Sequence, residues 1–326
     1  MEKIASLSEK DRRDLFSETA SRMHITNAIV EKDFWVVYTL KKLFSHDTLS
    51  KILLFKGGTS LSKVFGLIER FSEDIDLILD WKELTDEDPY EERSNTKQDT
   101  FNKELNQQAQ VYIKDTLYPM ISDIMRTYCS CSVDEDDGFK INIVYPALFM
   151  DPALLQQILL EIGPLASWVP SDTFNIKPFA AIEFPDKFTK PSCTVNAILA
   201  KRTFWEKATI LHVEAHRPAD KPMPSRYSRH YYDLAMMANS SVKDDALSDM
   251  PLLEEVANFK KKFYMRGWAQ YDEARSGTIR LIPSQDRVKE LEKDFKNMES
   301  MFIGKKYSFE EILTILKKLE TEIHSC

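Results

Sequence analysis

The stretch KILLFKGGTSLSK, from Lys51 to Lys63, constrains this chain most. The chain has only 8 glycines in 326 residues, yet two of them, Gly57 and Gly58, are adjacent. They close a short apolar run and precede a run of hydroxyl residues. That order predicts a strand entering a tight turn, then a helix over TSLSKVFGLI with Thr59, Ser60 and Ser62 as favourable residues for its first turn. A second strand follows in SEDIDLILD. Strand side chains alternate faces, so Asp74 and Asp76 point the same way, with Cα atoms roughly 6.5–7 Å apart.

Two carboxylates on one face can bridge divalent ions about 3.5–4 Å apart. Magnesium takes hard oxygen ligands and usually completes its shell with substrate phosphates, so such a pair calls for a phosphate donor nearby. The Gly57-Gly58 turn supplies a backbone that an anion can approach closely, and the following helix aims its positive end at the same place. Thr59 and Ser60 add hydroxyl donors. Alone, a glycine turn is a common connector and an Asp-x-Asp is often a solvated strand end. Together, in this order, they point to metal-dependent nucleotidyl transfer from a nucleoside triphosphate with Mg2+ or Mn2+. Asp80 shares the strand parity but sits at its end, where a structural role fits better. No Walker-type GxxxxGK[ST], no GxGxxG after a strand and no protein-kinase signature occurs.

Hydrophobic content of 43% and charged content of 29% suit a globular protein with a sizeable core. A net charge of −8 argues against a broadly nucleic-acid-binding surface and leaves room for a local basic patch. One such patch is NFKKKFYMRGW, Asn258 to Trp268, which interleaves Lys260, Lys261, Lys262 and Arg266 with Phe263, Tyr264 and Trp268. It suits phosphate tracking with base stacking, and equally a solvated basic face of a bundle helix. Cys129, Cys131, Cys193 and Cys326 form no CxxC pair and read as free thiols in a reducing cytoplasm. The first sixteen residues lack an apolar signal region, and no run of about eighteen apolar residues exists to span a membrane.

Helical spacing appears in SEKDRRDLFSETASRM, NAIVEKDFWVVYTLKKLF and FNKELNQQAQVYIKDTLYPMISDIMRTY. KELTDEDPYEERSNTKQ reads as a solvated loop. KINIVYPA, QQILLEIGP and NIKPFAAIEF read as further strands of the same sheet. From residue 194 onward the pattern reads as helical, beginning with TVNAILAKRTFWEKATILHVEAH. The expected fold is α+β: a nucleotidyltransferase domain over 1–200, a small mixed sheet flanked by helices, followed by a helical domain over 201–326.

FKGGTSLSK with RFSEDIDL resembles the AbiEii/AbiGii-type nucleotidyltransferase toxins, a branch of the DNA polymerase β-like superfamily. EKDFWVVYTLKKLF is similar to the helix preceding that motif, and RTFWEKATILH and RHYYDLAMM resemble the third and fourth motifs, so the resemblance spans about 30–240. It implies that Gly57, Gly58, Thr59 and Ser60 hold nucleotide phosphates and that Asp74 and Asp76 bind metal. It further implies that Lys207 contacts the triphosphate, that Asp233 is the fourth-motif aspartate, and that Glu161 is the third metal carboxylate. From the residues alone, Lys207 reads first as a surface lysine beside an Arg202–Glu206 pair, and Asp233 can be read as a partner of Arg229. Arg202 and His230 are further candidates. Lys63, one turn after Thr59, is placed either on phosphate or in solvent. Ser72, two residues before Asp74, is either a plain polar residue or a place where phosphorylation would crowd the carboxylates with charge and block nucleotide binding. The resemblance also implies a toxin acting on RNA, with tRNA 3′ ends as a target class, and a cognate antitoxin. The alternatives are an enzyme modifying a protein or small molecule, and a catalytically idle nucleotide- or RNA-binding module.

Overall fold

The computed structural model describes residues 1–152 and 154–326 and divides into two compact units. The first takes Met1–Val64, Phe71–Glu91 and Lys103–Ile198; the second takes Phe65–Arg70, Glu92–Asn102 and Leu199–Cys326. The chain is α+β. No helix among the described residues is long and apolar enough to cross a membrane. All four cysteines are free.

The first unit carries helices α1 (Glu2–Ala5), α2 (Glu9–Met23), α3 (Asn27–Phe44), α4 (Leu49–Ile52) and α5 (Gly57–Lys63). Helix α6 (Asn95–Tyr112) divides its residues between the units. Helices α7 (Tyr118–Met125) and α8 (Phe179–Glu183) return to the first. Its strands are β1 (Leu53–Lys56), β2 (Asp74–Leu79), β3 (Ser130–Val133), β4 (Lys140–Val144), β5 (Gln157–Gly163), β6 (Ser171–Ile176) and β7 (Cys193–Ile198). They form a sheet of order β3-β4-β5-β2-β1-β7-β6. β2 runs parallel to β5 and antiparallel to β1, and β1 runs parallel to β7.

The period-2 pattern decides what each face does. Ile75, Leu77 and Leu79 of β2, with Leu53 and Phe55 of β1 and Ile158, Leu160 and Ile162 of β5, join one core cluster with Val30, Phe34 and Val37 of α3. The opposite face of β2 carries Asp74, Asp76 and Ile78. Ile78 packs there with Leu54 and Ile198 under Trp168 and Ala166. One strand therefore buries its odd positions and holds its two carboxylates on the other side.

Helix α3 is buried on every side, from Ala28 to Leu40. It starts where Thr26 accepts a hydrogen bond from the Ile29 N–H at 3.3 Å, a side-chain N-cap. Such all-round burial marks a central helix rather than a surface one. Its three consecutive charges, Glu31, Lys32 and Asp33, are buried with it at 1%, 1% and 0% exposure. Each must find a partner, because an unpaired buried charge costs several kcal/mol.

The structure departs from the sequence reading at four places. The helix after the glycine pair spans Gly57–Lys63 and begins on the glycines themselves, with no side-chain cap. PFAAIE in NIKPFAAIEF is helix α8, not strand: Pro178 precedes it, and the Phe179 N–H is capped from a distance by Asp33. CTVNAI is strand β7, which helical spacing had merged with the helix that follows it. The helix of 101–128 instead begins at Asn95 and passes through a π turn over Ile113–Leu117.

The second unit is helical: α9 (Ala200–Ala215), α10 (Arg229–Ala238), α11 (Val242–Leu247), α12 (Met250–Phe263), α13 (Gln285–Asn297) and α14 (Phe309–His324). Helix α9 packs on α10, α11 and α12, and α10 packs on α14. The Tyr231–Phe309 and Phe295–Phe309 ring contacts fill the α10–α14 side. α14 opens with a full capping box between Ser308 and Glu311.

Candidate active site

In the first unit, β1 and β2 pair so that Lys56 lies opposite Asp76. β2 and β5 pair so that Asp76 lies beside Glu161, with Cα atoms about 4.8 Å apart from strand spacing. Asp74, Asp76 and Glu161 thus share one sheet face, as parity demands. Among the described residues, however, no group of three or more His, Cys, Asp and Glu side chains is drawn together as a metal cluster. The sheet brings Glu161 to the correct face and the register beside Asp76, but not into a three-carboxylate cage. Two same-face carboxylates with hard oxygen donors still fit the way magnesium is usually held, by one or two carboxylates with substrate phosphates and waters completing the shell.

The glycine turn meets this face directly. Gly57 has φ +81°, in the left-handed region, and a Cβ there would lie 2.6 Å from Cγ and 2.9 Å from Cβ of Asp76. Only glycine allows both the backbone conformation and the approach. The Thr59 hydroxyl donates to the Asp74 carbonyl, which ties α5 to the start of β2. The Ser60 hydroxyl donates to the Gly57 carbonyl at 2.9 Å. Both side chains are buried, at 1% and 0% exposure. The expected hydroxyl donors to phosphate are therefore spent on the backbone that shapes the turn.

Lys63 neither faces solvent nor points freely toward an anion. Its ammonium pairs with Asp33 and lies 3.6 Å from the centre of the Phe179 ring. Burial pushes its pKa down to about 7. Asp80 accepts from the Lys82 N–H at 3.1 Å and caps a 3-10 turn, the structural role expected of it.

The second unit holds Lys207 on α9 and Asp233 on α10. Arg70 grips Asp233 with two bonds, Nε–Oδ1 at 2.7 Å and Nη2–Oδ2 at 2.8 Å, the geometry of a fork on a carboxylate. Lys207 Nζ lies 2.8 Å from Asp233 Oδ2 and 3.0 Å from Nδ1 of His230. Desolvation alone would raise the Asp233 carboxyl, but the Arg70 and Lys207 charges reverse it and hold it below the usual carboxylate range. Burial lowers Lys207, against the pull of Asp233. Burial, with Lys207 next, keeps His230 neutral far below its ordinary range. An ammonium has only donors, so the neutral imidazole accepts at Nδ1. Asp233 is held by Arg70 rather than by an i,i+4 contact from Arg229. Arg202 is 1% exposed and pairs with Glu255 at 2.7 Å and Glu206 at 3.4 Å. His212 is structural: it bonds the Gln270 carbonyl at 3.0 Å and accepts from the Arg280 N–H at 3.0 Å.

Two sets of residues escaped the sequence reading. Arg70 is the first residue of RFSEDIDL and carried no role of its own there. Glu31, Lys32 and Asp33 were noted only within a family-like helix. The available signal was three consecutive charges inside a helix otherwise patterned for burial.

Comparison with known proteins gives four findings. A family model described as nucleotidyl transferase AbiEii toxin, type IV toxin–antitoxin system, matches residues 38–315. The MenT4 nucleotidyltransferase toxin of Mycobacterium tuberculosis is similar in structure, with TM-score 0.50 and 14% identity, over 95% of this chain and 97% of that one. A candidate nucleotidyltransferase of H. pylori aligns with TM-score 0.44 and 13% identity, over 90% and 93% of the two chains. No curated protein sequence matches.

Proposed function

The chain belongs to the AbiEii nucleotidyltransferase toxin family of type IV toxin–antitoxin systems, and from that premise we propose that it transfers a nucleoside monophosphate from an NTP to an RNA hydroxyl, with tRNA 3′ ends as the acceptor class, in a magnesium- or manganese-dependent reaction. The observation that carries the reading is the contact between Gly57 and the Asp76 carboxylate. A phosphate-approaching turn is pressed against a metal-binding carboxylate within one compact unit.

In the proposed reaction the acceptor oxygen attacks the α-phosphorus, the bond from the α-phosphorus to the bridging oxygen breaks, and pyrophosphate leaves. A bound divalent cation would polarise the phosphoryl oxygens and ease loss of the acceptor proton. Asp74 and Asp76 would hold the metal, and Glu161, beside Asp76 on the same sheet face, would have to move toward it to act as the third carboxylate. Gly57 lets the turn lie against Asp76, Gly58 completes the turn that would face the triphosphate, and Thr59 and Ser60 keep the turn in shape. Lys207 and Asp233 enter the proposal by their motif match, as the triphosphate contact and its partner. The role of Lys63 is to hold the end of α5 through Asp33, rather than to bind phosphate. A cognate antitoxin and a cytoplasmic site of action accompany the family assignment.

The test incubates the protein with each α-labelled NTP, Mg2+ and total cell RNA. Label on tRNA-sized RNA, abolished by chelation and by Asp76→Asn, is the expected result. Label on protein would move the acceptor to the protein-modifying alternative. No label, with no NTP binding by calorimetry, would make the protein an idle module and overturn the proposal.

A further inference from the structure

The carboxylates of β2 and β5 are carried by two parallel strands paired from Asp74–Leu159 to Ile78–Gly163, and the segments that lead into that ladder are both held from α3. Glu73 immediately precedes β2, and Leu155 lies two residues before β5. Both meet one side chain. Lys32 Nζ pairs with Glu73 and donates to the Leu155 carbonyl at 2.8 Å. Lys32 and Glu73 are buried, at 1% and 5% exposure.

Its neighbours on α3 reach other segments. Successive helical residues point about 100° apart, so three charges in a row fan out to three places. Glu31 accepts from the Leu148 N–H at 2.9 Å and the Phe149 N–H at 3.0 Å. Asp33 accepts from the Phe179 N–H at 2.6 Å and pairs with Lys63 at the end of α5. Lys32 alone touches the approaches to both carboxylate-bearing strands.

We infer that Lys32 is a positioning residue that sets the spacing of Asp74 and Asp76 relative to Glu161, by binding the chain just ahead of β2 and just ahead of β5 at one ammonium. A buried ion pair of this kind is a poor stabiliser compared with apolar packing. Its geometry suits orientation instead, because one cation reaches an acceptor ahead of each strand. Outer partners of metal ligands usually affect metal affinity by about 10–100-fold when removed.

The inference rests on the metal-binding reading of Asp76, and the experiment separates the two. Mn2+ alone is titrated into the full chain and followed by water-proton relaxation, with thermal unfolding measured in parallel. Asp76→Asn tests the metal reading. Lys32→Met tests the position but removes one charge of a buried pair and keeps the other, so the informative variant is Lys32→Met/Glu73→Gln, which removes both charges. The expected result is a folded double variant, melting close to wild type, whose Mn2+ affinity falls about tenfold. Lys32→Arg, which keeps a cation able to reach both acceptors, is expected to lie between that variant and wild type. Wild-type Mn2+ affinity in the folded double variant, with affinity lost in Asp76→Asn, overturns the positioning role and leaves the metal site standing. A loss in Lys32→Arg equal to that of the double variant overturns it too, because the site would then sense only volume at position 32. Unchanged Mn2+ affinity in Asp76→Asn sinks the metal reading and the positioning role with it.

Discussion

Replacing Gly57 by alanine separates two effects that usually arrive together. The first is backbone strain. At φ +81° a Cβ costs about 1–2 kcal/mol. The second is the clash with Asp76. Carbon atoms rest at about 3.5–4.0 Å, and the new Cβ would lie 2.6 Å from the Asp76 Cγ. The carboxylate must therefore retreat by roughly 1 Å, a displacement that costs on the order of 10²-fold in rate at a reacting centre. Gly277 provides the control, because it has φ +82° but nothing within 4 Å of its would-be Cβ. Urea unfolding should show about 1–2 kcal/mol lost in Gly277→Ala and that much plus about 1–3 kcal/mol of overpacking in Gly57→Ala. Labelled-nucleotide transfer should fall about 100-fold in Gly57→Ala only. If folded Gly57→Ala transfers nucleotide at the wild-type rate, the contact with Asp76 has no bearing on the chemistry.

Three further outcomes follow from the buried charges. Asp233→Ala leaves Arg70 and Lys207 buried without their shared anion and should cost roughly 3–5 kcal/mol in urea unfolding; a loss under 1 kcal/mol would mean that water or another anion already compensates them. For the same reason, loss of transfer in Asp233→Ala carries weight only once the variant is shown to be folded. Burial lowers His212 to about 4 from its ordinary 6.5, so the unfolded chain binds a proton that the folded chain refuses. That stability is complete above pH 6.5 and drains as pH falls toward 4, by about 3 kcal/mol, and His212→Gln should flatten this part of the curve. Asp74→Asn should abolish transfer while leaving thermal unfolding nearly unchanged, since Asp74 sits at the start of β2 and is only partly buried.

The sequence by itself determined the strand–glycine turn–helix–strand unit, because each step is a local property. The apolar run, the adjacent glycines and the alternation of Asp74, Ile75, Asp76 and Leu77 need no partner to be read. It determined helix α3, 27–44, by the apolar period of NAIVEKDFWVVYTLKKLF. Tertiary structure decided the rest. Strand β7 pairs along its length with β6 and at Ala197 with β1, and its own alternation of Cys193, Val195 and Ala197 against Thr194 and Asn196 was hidden by the helical period that follows it. PFAAIE is a helix because Asp33, 146 positions away, caps it. Lys63, Thr59 and Ser60 looked like anion donors in one dimension, but their partners, Asp33, the Asp74 carbonyl and the Gly57 carbonyl, were fixed only when the chain closed around α3 and β2. A residue type states what a side chain can bind, whereas burial decides which partner it must bind, because an unpaired polar group costs too much to leave inside.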